Sequence, residues 1–150
     1  KNLSRNAMAW RFQIRAFLDS NVIYSAVCSP QGTPGKVITA FIVGRFQAVV
    51  SRLVLEEVVR TVKSKMPARI DALQELLVLN PPEVCPDPSL DEISRCAEVI
   101  HAEDAPILAA AIAAKVDYLV SGDRHFLSKV ETLKDKGVTV VSPAQFMEQL

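Results

Sequence analysis

Cysteine is scarce in this chain. Its 150 residues hold three, Cys28, Cys85 and Cys96, an odd number without the paired spacing of a metal-binding cluster. They read as reduced, mostly buried thiols, which points to a cytoplasmic setting. Long apolar runs are missing too. None approaches the roughly 18 residues that suggest a membrane span, so no membrane partner is expected. An excess of charge of one sign is also lacking, with 17 basic and 17 acidic residues. Residues 1–7 are polar, lack an apolar core and precede Met8, and they read as a remnant outside the native fold. Without Lys1 and Arg5 the count becomes 15 bases against 17 acids, a net of −2. That balance argues against strong non-specific nucleic-acid binding through bulk charge. It leaves open an enzyme that holds phosphates through metal ions. Internal repeats, low-complexity tracts and signs of a second domain are missing as well.

What is present suits one globular domain, expected over residues 8–150. The apolar content is 49% and the charged content 23%, ordinary for such a domain. A chain of this size buries roughly 70% of its unfolded surface, enough for a full core.

Short apolar runs alternate with helical patterns. Strands are expected at Phe12–Leu18, Gln47–Ser51, around Val84, at Tyr118–Ser121 and at Thr139–Val141. A short helix is expected over Val22–Val27. Thr33 and Pro34 read as the cap and first residue of the next, which runs to about Val43. Ser51 caps a helix over Arg52–Ser64, where Leu55, Val58, Val59 and Val62 recur at helical spacing. Pro67 ends it, and another helix covers Ala68–Leu79. Ser89 with Glu92 forms a capping box for a helix to about His101. Asp104 caps Ala105–Lys115, with Pro106 tolerated in the first turn. Ser142, Pro143 and Gln145 open the last helix. The alternation predicts a three-layer α/β/α fold around a central, mostly parallel sheet.

Four carboxylates carry the functional signal. Asp19, Glu57, Asp104 and Asp123 each stand at or just past a place where an apolar run gives way to a helix-like segment. A parallel sheet gathers such places at the carboxyl ends of its strands, where open α/β folds bind ligands. Gathered acids repel one another, so a divalent cation is their natural partner. With oxygen-only ligands that cation is Mg2+ or Mn2+, as one ion or two. Asp19 and Asp123 are the expected direct ligands, with Asp104 direct or through water. Glu57 is expected to hold a second ion or a bridging water. Two such ions lie about 4 Å apart and clamp the attacking and leaving oxygens of a phosphate ester.

The ordered set resembles the PIN domain. It comprises Phe17-Leu18-Asp19-Ser20-Asn21, Ser51 with Glu57 six residues on, Glu103-Asp104, and Asp117-Tyr118-Leu119-Val120-Ser121-Gly122-Asp123. The resemblance spans about Arg15 to Met147. It implies a metal-dependent nuclease acting on RNA, of a family rich in bacterial VapC-type toxins of toxin–antitoxin pairs. It also implies a protein antitoxin and a homodimer as partners. By this resemblance Asp19, Glu57, Asp104 and Asp123 are the four acids in chain order. Asn21 and Ser121 are polar supports that orient them. Many relatives carry a further acid two residues past the fourth, where this chain has His125.

Plainer roles exist for each residue. Asp104 and Asp19 suit helix caps, Asp123 an ordinary Gly-Asp turn, and Glu57 a pair with Arg60. His125 reads as a loop residue near the site. Arg60, Lys63, Lys65 and Arg69 cluster on a helical hairpin, as a solvated face or as an RNA-backbone contact. Two other functions compete. A haloacid-dehalogenase-like phosphatase needs a second Asp two residues after the first, and Asn21 stands there. A non-catalytic RNA- or partner-binding module fits the near-neutral charge, but has no reason to keep four mutually repelling acids.

Overall fold

The computed structural model describes residues 13–150. The expected remnant at 1–7 and the expected strand start at Phe12 lie outside the described residues.

Five strands, β1 (Arg15–Leu18), β2 (Gln47–Val50), β3 (Glu83–Val84), β4 (Tyr118–Val120) and β5 (Val140–Val141), form one sheet in the order β3-β2-β1-β4-β5. Every neighbouring pair is parallel. Nine α-helices are described: α1 (Ser20–Cys28), α2 (Thr33–Ile42), α3 (Arg52–Lys65), α4 (Ile70–Leu79), α5 (Leu90–Cys96), α6 (Ala105–Ala113), α7 (Arg124–Leu127), α8 (Val130–Asp135) and α9 (Pro143–Glu148). A single 3-10 turn, Pro67–Arg69, joins α3 to α4. Helix α1 packs on α2 and α3, and α9 packs on α2; α5 and α6 pack together. The three-layer α/β/α fold expected from the alternation is therefore present.

The strands at the centre of the sheet are apolar through most of their length. Ala16, Phe17, Leu18, Ala48, Val49 and Val50 are all at most 1% exposed, as expected for parallel strands covered on both faces. Phe46, Phe126 and Phe146 fill the space between strands and helices, and Phe46 meets Phe146 edge-on at 4.8 Å. Arg15, at the start of β1, holds the edge strand β3 through a paired contact with Glu83 at 2.6 and 3.2 Å.

Helix starts follow their caps. Ser51 Oγ accepts from Val54 N–H, and both capping boxes, Ser89 with Glu92 and Ser142 with Gln145, are closed in both directions. Several boundaries differ from the sequence reading: α1 begins at Ser20, two residues before Val22, the helix expected from Ala68 is a 3-10 turn followed by α4 from Ile70, and α6 ends at Ala113, short of Lys115. Helix α2 is capped by Gly32, one residue earlier than Thr33, with Pro34 in its first turn. Helix α5 ends at Cys96 instead of near His101, and the chain continues in tight turns closed by Glu98 N–H to Arg95 O and Val99 N–H to Cys96 O. Helices α7 and α8 had no sequence expectation; each has six residues or fewer, too short to show a period.

Candidate metal centre

The strand order changes direction at β1. The chain steps from β1 out to β2 and β3, then returns to place β4 on the other side of β1. The crevice between the carboxyl ends of β1 and β4 is the switch point where open α/β sheets bind ligands. Asp19 directly follows β1, and Ser121 and Asp123 follow β4. Helix α6 leads back down into β4, so its first turn, with Asp104 at the cap position, stands at the same edge.

Asp19 is buried, 5% exposed, and both of its carboxylate oxygens accept hydrogen bonds. One carboxylate oxygen, Oδ1, accepts from Ser20 N–H at 2.8 Å, which makes Asp19 the N-cap of α1. The other, Oδ2, accepts from Asn21 Nδ2 at 3.0 Å and from Ser121 Oγ at 2.8 Å. Burial pushes its pKa up to about 6; the bonds from Ser121 and Ser20 oppose that rise, and the charges of Glu57 and Asp123 add to it. Asn21 bridges the two strand ends, since its Oδ1 accepts from Gly122 N–H at 3.0 Å. Ser121, wholly buried, also accepts from Asp123 N–H at 3.0 Å. The expected supports, Asn21 and Ser121, thus both touch Asp19.

The other two aspartates meet at His125. Its Nδ1 lies 2.8 Å from Asp104 Oδ2 and 3.8 Å from Asp123 Oδ1. Its backbone N–H donates to Asp123 Oδ1 at 2.9 Å, so Asp123 caps α7. The bond to Asp104 favours the imidazolium and raises the pKa of His125; partial burial opposes this, and the charges of Asp123, Asp104 and Glu103 support it. The His125 ring stacks on His101 with centroids 4.1 Å apart and planes 22° from parallel. Asp104 occupies the cap position of α6 but makes no side-chain cap bond there. Its carboxylate is directed into the site, contrary to the plain capping role.

Ligand atoms of Asp104, Asp123 and His125 all lie within 4.8 Å of one another. Carboxylates and an imidazole converging at that spacing are a donor set that fits a divalent cation. Glu57 stands about one and a half turns into α3, half-buried beside the Val54, Val58 and Val62 stripe. Its charge bears on Asp19, whereas the neighbouring Glu56 is exposed and pairs with Arg52 at 2.8 Å.

The basic cluster divides. Arg69 is half-buried, and its Nε donates to Val27 O at 2.9 Å, tying the hairpin to the end of α1. Arg60, Lys63 and Lys65 are exposed, and the first two border an open groove with Leu55, Glu56, Val59 and Ser64. The site residue that sequence reasoning undervalues is His125. Its position two residues beyond Asp123 is the available signal.

Three solved structures are similar in fold. PAE2754 from Pyrobaculum aerophilum is 16% identical, with a TM-score of 0.61 over 91% of this chain and 94% of that one. FitAcB from Neisseria gonorrhoeae is 18% identical, with a TM-score of 0.60 over 86% and 98%. VapBC2 from Rickettsia felis, solved bound to a DNA fragment from its promoter, is 16% identical, with a TM-score of 0.59 over 86% and 98%. No curated protein matches the chain. The PIN domain family model matches residues 15–125, a span that holds all four acids and both polar supports, and the chain belongs to the PIN domain family.

Proposed function

We propose that this PIN domain is a metal-dependent endoribonuclease that cleaves RNA phosphodiesters, the toxin of a toxin–antitoxin pair. The observation that carries the reading is the convergence of Asp104, Asp123 and His125 on one point, beside the buried, hydrogen-bonded Asp19. The fold likeness to VapBC2, named as the VapC-type pairs are, supports a protein antitoxin as partner. A homodimer and a cytoplasmic setting complete the reading. No described helix is long and apolar enough to cross a membrane.

The chemistry supplied by a bound Mg2+ or Mn2+ is activation of a water for attack on phosphorus and neutralisation of charge on the phosphoryl oxygens. The protein's part is to hold that cation and the RNA. Asp123 and Asp104 offer carboxylate oxygens, and Asp19 is oriented by three donors that hold its carboxyl group in one position. Ser121 and Asn21 keep the two strand ends in register, which is the usual work of groups bonded to metal ligands. Glu57 extends the acidic surface toward α3 and is the residue for a second ion or a bridging water. In this reading Arg60, Lys63 and Lys65, all exposed, are the candidates to meet RNA phosphates, while Arg69 is engaged with the backbone.

The deciding experiment is Mn2+ calorimetry and RNA cleavage on wild type and Asp19→Asn side by side. The reading expects the variant to lose about a hundredfold or more of the cleavage rate while its circular dichroism is unchanged. Full cleavage by Asp19→Asn would sink it. A second reading, a non-catalytic RNA- or partner-binding module, draws on the His125–Asp104 bond, which occupies one carboxylate oxygen. RNA bound in EDTA and left intact in Mn2+ would favour that module. The phosphatase reading gains nothing, because both ends of the Asn21 amide are engaged, on Asp19 and on Gly122, and no acid–base group stands there.

A further inference from the structure

Oxygen-only ligation is what favours Mg2+ or Mn2+, and the structure departs from it. An imidazole stands among the carboxylates. We propose that His125 is a direct ligand of the metal through Nδ1, and that the mixed nitrogen and oxygen centre binds a transition-metal ion in preference to Mg2+. The proposal rests on the reading of this cluster as a metal centre, and deepens it by naming the class of ion.

Three observations point this way. First, Nδ1 is the ring atom turned to the acids, 2.8 Å from Asp104 Oδ2 and 3.8 Å from Asp123 Oδ1. Ligand atoms adjacent on a six-coordinate ion, each about 2.1 Å from it, lie about 3.0 Å apart, so the first separation already fits, and Asp123, whose oxygen lies within 4.8 Å of the other two ligand atoms, is the residue that has to draw in. Second, the ring is already held. Its backbone N–H is fixed on Asp123 Oδ1, and His101 stacks on its face at 4.1 Å. A ligand ordered before the ion arrives loses less freedom on binding. Third, the substitution changes ligand chemistry. The position two residues past Asp123 carries an imidazole in this chain, a nitrogen ligand in place of a carboxylate oxygen. Carboxylates and water suit Mg2+, whereas imidazole suits zinc, iron and nickel, and Mg2+ keeps to oxygen.

A different role for the same contacts is an outer one, with Nδ1–H donating to Asp104 while only carboxylates touch the ion. Outer partners also tune affinity, by about 10–100-fold, so affinity alone does not separate the roles. Nitrogen coordination does. The test uses the full chain, loaded with Mn2+ and read by pulsed electron paramagnetic resonance for nitrogen hyperfine coupling. Calorimetry with Mn2+, Zn2+ and Mg2+ accompanies it.

The expected result is nitrogen coupling in wild type and in His101→Asn, and its loss in His125→Asp. The preference for Zn2+ over Mg2+ should also fall by at least about tenfold in His125→Asp. Because aspartate supplies an oxygen ligand in the same place, that variant keeps a complete site and separates ligand type from loss of the site. Mn2+ bound without nitrogen coupling in wild type would overturn the proposal and leave the metal centre standing. Coupling that survives in His125→Asp would overturn it too. No binding of any of the three ions by wild type would remove the metal centre itself, and this inference with it.

Discussion

Ser121 Oγ donates to Asp19 Oδ2 at 2.8 Å, joining the end of β4 to the end of β1 inside a site where both residues are buried. The same hydroxyl oxygen accepts from Asp123 N–H. Ser121→Ala removes a donor from a buried carboxylate and an acceptor from a backbone N–H in one step. Groups left unsatisfied in this way cost about 1–3 kcal/mol. The expected outcome is a lower urea midpoint with an unchanged slope, and metal affinity reduced by about 10–100-fold. A midpoint equal to wild type would show that solvent replaces the hydroxyl.

Asp19 makes the metal-free protein sensitive to pH. Its carboxyl is raised from 3.8 to about 6 in the fold, chiefly by burial. The proton is therefore held more tightly folded than unfolded. The stability this gives is complete below about pH 4 and is lost as pH rises through about 6. A shift of this size corresponds to about 3 kcal/mol. Asp19→Asn has no proton to lose. Measured in EDTA, wild type should lose stability relative to Asp19→Asn between about pH 4 and 6.5. Parallel curves would show that Asp19 is not the group responsible.

Lys63 and Arg69 should separate in their effects. Lys63 is exposed on α3, while Arg69 donates to Val27 O. Lys63→Ala is expected to weaken RNA binding, to reduce the salt slope by roughly one phosphate contact, and to leave the thermal midpoint unchanged. Arg69→Ala is expected to lower the midpoint, because it frees a carbonyl at the end of α1. Equal effects of both on RNA affinity alone would contradict this division.

Gly35 is required by a close approach. A Cβ there would stand 1.9 Å from Pro30 O, a backbone atom that has no easy escape. Gly35→Ala should destabilise the protein by about 1–3 kcal/mol, the usual range for overpacking. Thermal denaturation of the variant, with Gly44→Ala as a comparison at a position open in space but with a φ of 85°, separates crowding from backbone strain.

Much of this is readable from residue order. Apolar runs ending in Asp19, Ser51 and Ser121 locate three strand ends, and the capping boxes at Ser89 and Ser142 locate two helix starts. Asn21 and Ser121 are the expected supports, and both bond to Asp19. The failures have local causes. Helix α5 stops at Cys96 without Gly or Pro to announce it, since the stop is made by turn hydrogen bonds. Asp104 has the composition of a cap, yet its carboxylate meets His125, a partner 21 residues away that no local pattern encodes. The stacking of His101 on His125 is equally hidden, because it depends on how the turns after α5 fold back.

The bond between Asp19 and Ser121 spans 102 residues, and that separation governs when the site exists. A ribosome synthesising this chain exposes Asp19 early, but the carboxylate has no Ser121 and no Asp123 beside it until β4 has left the exit tunnel. A growing or truncated chain that stops short of β4 holds one half of the crevice and none of its crossing bonds. The crevice is therefore assembled only after β4 has been made, and every chain still short of that strand carries an aspartate with none of its partners from β4.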